Sequence, residues 1–224
     1  MWEKASRGVE MDDIETWIKK ECRTPKGPYL RPFTPNPKWR KAEVFVVGSR
    51  PATPLRDEFD NFDDYWKALT LRPKRFNEVY SREHKTGESK TTGNRRILTD
   101  HRHLKEVTVL VTNVCWVPVK GTKRVSEAEL KVGKERLKQL YDHIQPKIIF
   151  AYGKPAINAS HGIFGHAPDP YLPPKEQGKY PKKPLVLTYR HLSGMGGEKG
   201  KPFQPNIDLP EFAQIIREYL GKKV

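Results

Sequence analysis

Four stretches of the sequence carry residues whose types and spacing could do chemistry. Gly48-Ser49-Arg50-Pro51-Ala52-Thr53-Pro54 joins small residues to prolines. Such a rigid turn exposes backbone N–H groups suited to a water or a phosphate. Thr112-Asn113-Val114-Cys115-Trp116-Val117-Pro118 offers one carboxamide, donor and acceptor together, enough to read the polar edge of a pyrimidine in a dry pocket. Standing alone, the same Asn113 also reads as a cap or turn residue. In Tyr152-Gly153-Lys154-Pro155-Ala156 the glycine permits close approach, the proline suits a first helical turn and Lys154 can meet a phosphate. Arg190-His191-Leu192-Ser193-Gly194-Met195-Gly196-Gly197 sets a histidine ahead of a glycine-rich loop with a single apolar tip.

Each stretch follows a short apolar run: Val44 to Val47, Val107 to Val111, Ile148 to Tyr152 and Leu185 to Thr188. Runs this short and this rich in β-branched or aromatic residues predict buried parallel strands. Helical patterns lie between them. Ser126 with Glu129 forms a capping box, and Leu130, Leu137, Leu140, Tyr141 and Ile144 recur at helical spacing until Pro146. Asp57 to Leu69 carries Phe59, Phe62, Tyr65, Trp66 and Leu69 as a stripe; Pro210 to Leu220 closes the chain, ended by Gly221; Met11 to Glu21 adds an N-terminal helix. This alternation predicts an α/β fold, a three-layer αβα sandwich around a central, mainly parallel, four-stranded sheet. The chain reads as one domain over 1–224, with an N-terminal helical arm over about 1–42, in which Tyr29, Phe33 and Trp39 anchor a proline-rich segment. Arg72 to Lys105 holds ten Lys or Arg against four Asp or Glu and reads as a mobile basic insertion over about 72–105. In open α/β sheets function collects beyond the carboxyl ends of the strands, where the four stretches fall.

A formal charge of +15 on 224 residues points to a phosphate backbone as partner, without giving sequence specificity or chemistry. Neither an 18-residue apolar run nor a basic amphipathic helix points to a membrane. Cys22 and Cys115 are the only cysteines, and a reducing, cytoplasmic setting is the expectation. His101 and His103 flank Arg102 without cysteine partners at metal-ligand spacing, so they read as surface or DNA-facing side chains, and no metal site is expected.

Gly48-Ser49-Arg50-Pro51, Thr112-Asn113-Val114, the run Pro146 to Ala156 and His191-Leu192-Ser193-Gly194, in this order and at successive strand ends, resemble the four landmarks of the uracil-DNA glycosylase superfamily from about Glu43 to Gly197. Thr-Asn-Val and Pro-Lys-Ile-Ile are most similar to its iron-sulfur branch, whose cysteine ligands this chain lacks, so the resemblance carries no cluster.

The resemblance implies an enzyme that flips a pyrimidine out of DNA, hydrolyses its N-glycosidic bond and leaves an abasic site. Asn113 would read the base edge, beside Gly48 and Ser49. Phe62, or Phe59 by a small shift, would stack on the base; helix core is the equal alternative for both. His191 would donate a hydrogen bond to the departing base anion. Ser193 would hold phosphate, Arg50 and Lys154 would add charge, and Met195 would fill the hole in the duplex.

Two departures bear on the substrate. Where many relatives carry a carboxylate or amide after the first glycine to position water, this chain has Ser49 and Arg50, and Asp57 is the replacement expected; it equally suits a helix start. Leu192 stands where a proline commonly follows the motif histidine. The resemblance thus implies a monofunctional glycosylase without metal or small-molecule cofactor, acting as a monomer on DNA and nucleoid-associated when bound. Its base is a modified pyrimidine, up to the hypermodified cytosines of phage DNA in antiviral defence; uracil or mismatch repair and a catalytically silent DNA-binding module stay open.

Overall fold

Continuous β-branched runs can be buried on both faces only within a sheet covered by helices, and the chain folds accordingly. The structure is a computed structural model that describes residues 11–84, 88–121, 124–179, 182–194 and 203–222. Strands β1 (Val44–Gly48), β2 (Val109–Asn113), β3 (Ile148–Tyr152) and β4 (Leu185–Tyr189) form one sheet in the order β2-β1-β3-β4, with all neighbours parallel. β2 begins two residues after the predicted run. Val107 instead closes a turn by donating its N–H to the Leu104 carbonyl, and pairing starts where Val109 meets Val44.

Helices α1 (Met11–Cys22), α2 (Phe62–Thr70), α3 (Pro73–Glu83), α4 (Lys90–Thr99), α5 (Glu127–Ile144), α6 (Lys154–Phe164), the single turn α7 (Pro174–Gln177) and α8 (Pro205–Tyr219) surround the sheet. α2 starts at Phe62, five residues later than the sequence pattern implies, capped by Asn61, whose side chain accepts the Asp64 N–H. The capping box at Ser126 and Glu129 forms as its spacing predicts. α8 begins before Pro210 and carries that proline inside the helix.

Alternation of side chains sends Phe45, Val47, Ile149, Ala151 and Val186 to one face, where they meet Ile18, Trp39, Trp66, Trp116, Leu137 and Ala156. Val44, Val46, Ile148, Phe150, Leu185 and Leu187 face the other way, against Leu98 of α4 and Leu209, Phe212, Ala213 and Ile216 of α8. Three layers result. The basic segment expected to be mobile contains α3 and α4, and Phe76, Val79, Leu98 and Leu104 within it are buried. Four apolar anchors among so many cations leave little periodic signal in the sequence.

Both sheet edges are covered. Along β2, Phe33 bridges to Thr112, Thr34 donates to the Val111 carbonyl and the Asn36 amide to that of Val109. Along β4, the Gln177 side chain does the work of a strand: Oε1 accepts the Thr188 N–H at 2.8 Å and Nε2 donates to the Thr188 carbonyl at 3.0 Å. At the amino ends of the strands Glu43 accepts from the Thr108 N–H and from Lys222. Burial alone would raise its pKa, but these partners hold the carboxyl below its ordinary value.

Candidate active site

β1 leads through α2 to α4 towards β2 on one side, while β3 leads through α6 towards β4 on the other, so a crevice opens at the carboxyl ends of β1 and β3. Gly48 pairs with Asn113, and Val47 with Ala151, which brings Tyr152 level with Gly48. By alternation, Asn113, Gly48 and Tyr152 lie, with Tyr189 of β4, in the last row of the face covered by α4 and α8. A Cβ on Gly48 would lie 2.4 Å from Tyr152 Oη and 2.9 Å from Asn113 Oδ1. Only glycine fits there, and the phenol and carboxamide meet above it. Asn113 is 9% exposed, and its amide has no hydrogen-bond partner among the described residues.

His191 enters from beyond β4. Gly153, the residue capping α6, has φ +78°, and a Cβ there would lie 3.1 Å from His191 Cδ2 and 3.7 Å from Ser49 Oγ. Glycine therefore serves both the left-handed backbone and the approach of the imidazole. His191 Nδ1 accepts the Ser193 backbone N–H at 3.2 Å and lies 2.7 Å from Ser193 Oγ. A backbone N–H can only donate, so Nδ1 presents its lone pair and the ring proton resides on Nε2. Burial pushes the pKa below the ordinary histidine value, which keeps the ring neutral at pH 7. A neutral imidazole with its Nε2–H available is a hydrogen-bond donor for charge that develops nearby. Its ring stands edge-on to Tyr152, with centroids 6.4 Å apart.

α4 closes over this row. Its Asn94 amide donates to the Leu192 carbonyl at 2.6 Å, tying the helix to the loop that holds His191. The next residue, Arg95, brings its positive charge close to the Tyr152 phenol. Burial raises the Tyr152 phenol above its ordinary pKa, with Arg95 opposing that shift in part. Sequence reasoning missed Tyr152, Asn94 and Arg95. Tyr152 was visible as a strand-end residue, but its neighbours follow from the register, and α4 meets the site only through the fold.

The other residues expected at the site are distributed differently. Ser49 is partly buried beside Gly153, and Lys154 is exposed in the first turn of α6, accessible to a phosphate. Ser193 is engaged with His191. Arg50 turns inward: its side chain is 8% exposed, and Nη2 pairs with Glu129 at 2.8 Å, which meets the charge expected to face DNA. Asp57 lies in an exposed turn ahead of α2. Phe59 and Phe62 lie in the aromatic cluster, each 5% exposed, among Tyr29, Tyr65, Trp66 and Phe76. Met195 lies outside the described residues.

A groove along the β2 edge, lined by Asn36, Asp100, Arg102, Lys105 and Thr108, is separate from this row. Both cysteines are free and buried, and among the described residues no group of three His, Cys, Asp or Glu side chains is placed to hold a metal ion. No helix among the described residues is long and apolar enough to cross a membrane.

The strand ends thus assemble an amide open for recognition, a neutral imidazole donor, a buried phenol and a cationic helix N-terminal turn. That set can grip a polar ring and stabilise an anion leaving it. No curated protein sequence matches the chain. The family model described as the uracil DNA glycosylase superfamily matches residues 39–209, which span the whole sheet and every strand-end residue described above, and the chain belongs to that superfamily.

Proposed function

We propose that the protein hydrolyses the N-glycosidic bond of a modified pyrimidine flipped out of DNA, with water as nucleophile, and leaves an abasic site. The observation that carries this reading is the tautomer of His191. With Nδ1 occupied by the Ser193 N–H, Nε2–H is a preorganised donor on a half-buried ring at the strand ends that also carry Asn113, whose amide is unpaired among the described residues. As the glycosidic bond breaks, the base takes the electron pair and the sugar acquires oxocarbenium character. A donor that costs no reorganisation favours the anion at that moment. Water then adds to the sugar carbon and loses a proton to solvent.

The formal charge of +15 supports DNA as the partner and a Lys154 contact to phosphate. The finer substrate reading is a hypermodified cytosine of phage DNA, and with it a role in antiviral defence. It is motivated by Ser49 and Arg50 in place of the water-positioning acid or amide, and by the basic segment that supplies α4. The experiment is a panel of duplexes carrying uracil, mismatched thymine, 5-hydroxymethylcytosine or glucosylated 5-hydroxymethylcytosine, scored for abasic sites. Excision confined to the modified cytosines supports the finer reading, and excision of uracil or thymine replaces it with repair. Binding without any excision identifies a silent module and overturns the catalytic reading.

A further inference from the structure

We infer that Tyr152 is a further base-contacting residue, donating its phenolic proton to a carbonyl oxygen of the flipped pyrimidine, and that Arg95 positions it for that contact. The inference rests on the glycosylase reading above and adds a recognition element to the same crevice. Three observations on the geometry lead there. First, Tyr152 shares the last sheet row with Asn113, and Gly48 between them contributes no side chain. The phenolic oxygen fills the space above that glycine, so the hydroxyl and the open amide border one recess. Second, the ring is edge-on to His191, which places the phenol between the amide and the imidazole donor. Third, the cation next to the hydroxyl is an arginine.

The third observation fixes the direction of any hydrogen bond between the two side chains. A guanidinium has five N–H donors and no acceptor. Arg95 can therefore meet Tyr152 only at a lone pair of Oη, which leaves the phenolic proton to go elsewhere. Tyr152 is 5% exposed and, among the described residues, has no acceptor for that proton. A buried donor without an acceptor is a cost that a ligand oxygen removes. Every pyrimidine carries a 2-oxo group, and the cationic neighbour makes the phenol a stronger donor to it. Asn113, which can donate or accept, complements such a fixed donor.

The test separates base contact from fold and from catalysis. Duplexes carrying 2′-fluoro-2′-deoxyuridine or 2′-fluoro-2′-deoxycytidine keep the base attached, because the fluorine disfavours the oxocarbenium ion. A duplex with a tetrahydrofuran abasic site has the same backbone and no base. Tyr152→Phe is expected to weaken binding of at least one fluorinated duplex about 10-fold, an effect the size of one lost hydrogen bond to a buried group, and to leave the abasic duplex unchanged. Arg95→Gln should give a smaller loss of the same kind, Arg95→Lys should recover part of it, and Tyr152→Phe/Arg95→Gln should be no worse than Tyr152→Phe alone. Equal losses on fluorinated and abasic duplexes, additive losses in the double variant, or a wild-type protein with no base-dependent affinity for either duplex would overturn the inference. Excision by the wild type on cleavable DNA is scored separately. A wild type that excises beside an unaltered Tyr152→Phe sinks only the inference, whereas base-dependent binding without excision sinks only the catalytic reading.

Discussion

The two faces of the sheet end differently at the same level of the strands. On the face shared with α1, α2, α3, α5 and α6, aromatic rings pack one on another, from Phe33 stacked on Trp39 at 5.3 Å to Phe62 beside Trp66, and polar groups there are consumed internally. Tyr65 donates to the Leu30 carbonyl and the Trp66 indole N–H to Glu15. On the face covered by α4 and α8 the last row is Asn113, Gly48, Tyr152 and Tyr189, of which Tyr189 donates to Asp208. Stability is concentrated on the first face and recognition on the second. The one-residue alternation of a strand keeps these two demands apart in a sheet only five residues long.

The comparison is broken most forcefully through Phe62. At 5% exposure within the aromatic cluster, Phe62→Ala is expected to cost about 3–5 kcal/mol of stability in a urea titration. Phe62→Leu should cost less than about 1.5 kcal/mol and leave the excision rate per folded molecule within a few fold of wild type. A folded Phe62→Leu variant with a rate loss of 100-fold or so would assign the ring to base stacking and return the first face to the chemistry.

His191→Ala is the converse. Loss of a preorganised donor is expected to reduce the single-turnover rate of abasic-site formation by about 10²–10³-fold. DNA affinity and thermal midpoint should stay near wild type, since the ring is half-buried and lies outside both cores. A variant that binds DNA much more weakly and excises at the wild-type rate when saturated would make His191 a DNA-contacting residue instead.

A third measurement sharpens the division by touching neither face. Gln177 is fully buried and pairs with both the N–H and the carbonyl of Thr188 at the β4 edge. Gln177→Leu keeps the approximate volume and strips both partners, for an expected loss of about 1–3 kcal/mol by chemical denaturation. Excision per folded molecule should be unchanged. An unchanged stability would mean that water reaches Thr188.

These residues also mark how far the sequence could be read. The four strands were legible because a strand buried on both faces must be apolar throughout, and the strand-end stretches followed from them. Asn113 and His191 were legible for the same reason, since each ends a run that nothing but a strand explains. The start of β2 was misjudged because Val107 is apolar for its turn, not for pairing. α3 and α4 were illegible as helices because they are held by only three buried apolar side chains, Phe76, Val79 and Leu98. Tyr152 and Arg95 were hidden for a different reason. Their meeting depends on strand register and on where a helix 57 positions earlier in the chain comes to rest, and neither leaves a local pattern. Gln177 is similar: a lone polar residue in a proline-rich connection gives no hint that it completes a sheet.

The smallest effect expected, and the one that tests the second face most closely, is the pH dependence of His191. Burial lowers its pKa, and the neutral ring is the form whose Nδ1 can accept from Ser193. The excision rate should therefore hold steady as pH falls through 6.5, the ordinary histidine value, and decline only below it, by up to tenfold per pH unit. Stability should move in the same sense. Above 6.5 the ring is neutral in both folded and unfolded chains; as pH falls below that value the unfolded chain takes up its proton first, and the folded state loses stability until its own, lower pKa is passed. His191→Asn removes the titration, so the stability difference between it and the wild type should be flat above 6.5 and shift against the wild type below. An acid limb with its midpoint above 6.5 would mean that a nearby anion favours the imidazolium. The Ser193 N–H would then no longer hold Nδ1 unprotonated, and the donor role of Nε2 in a neutral ring would fail with it.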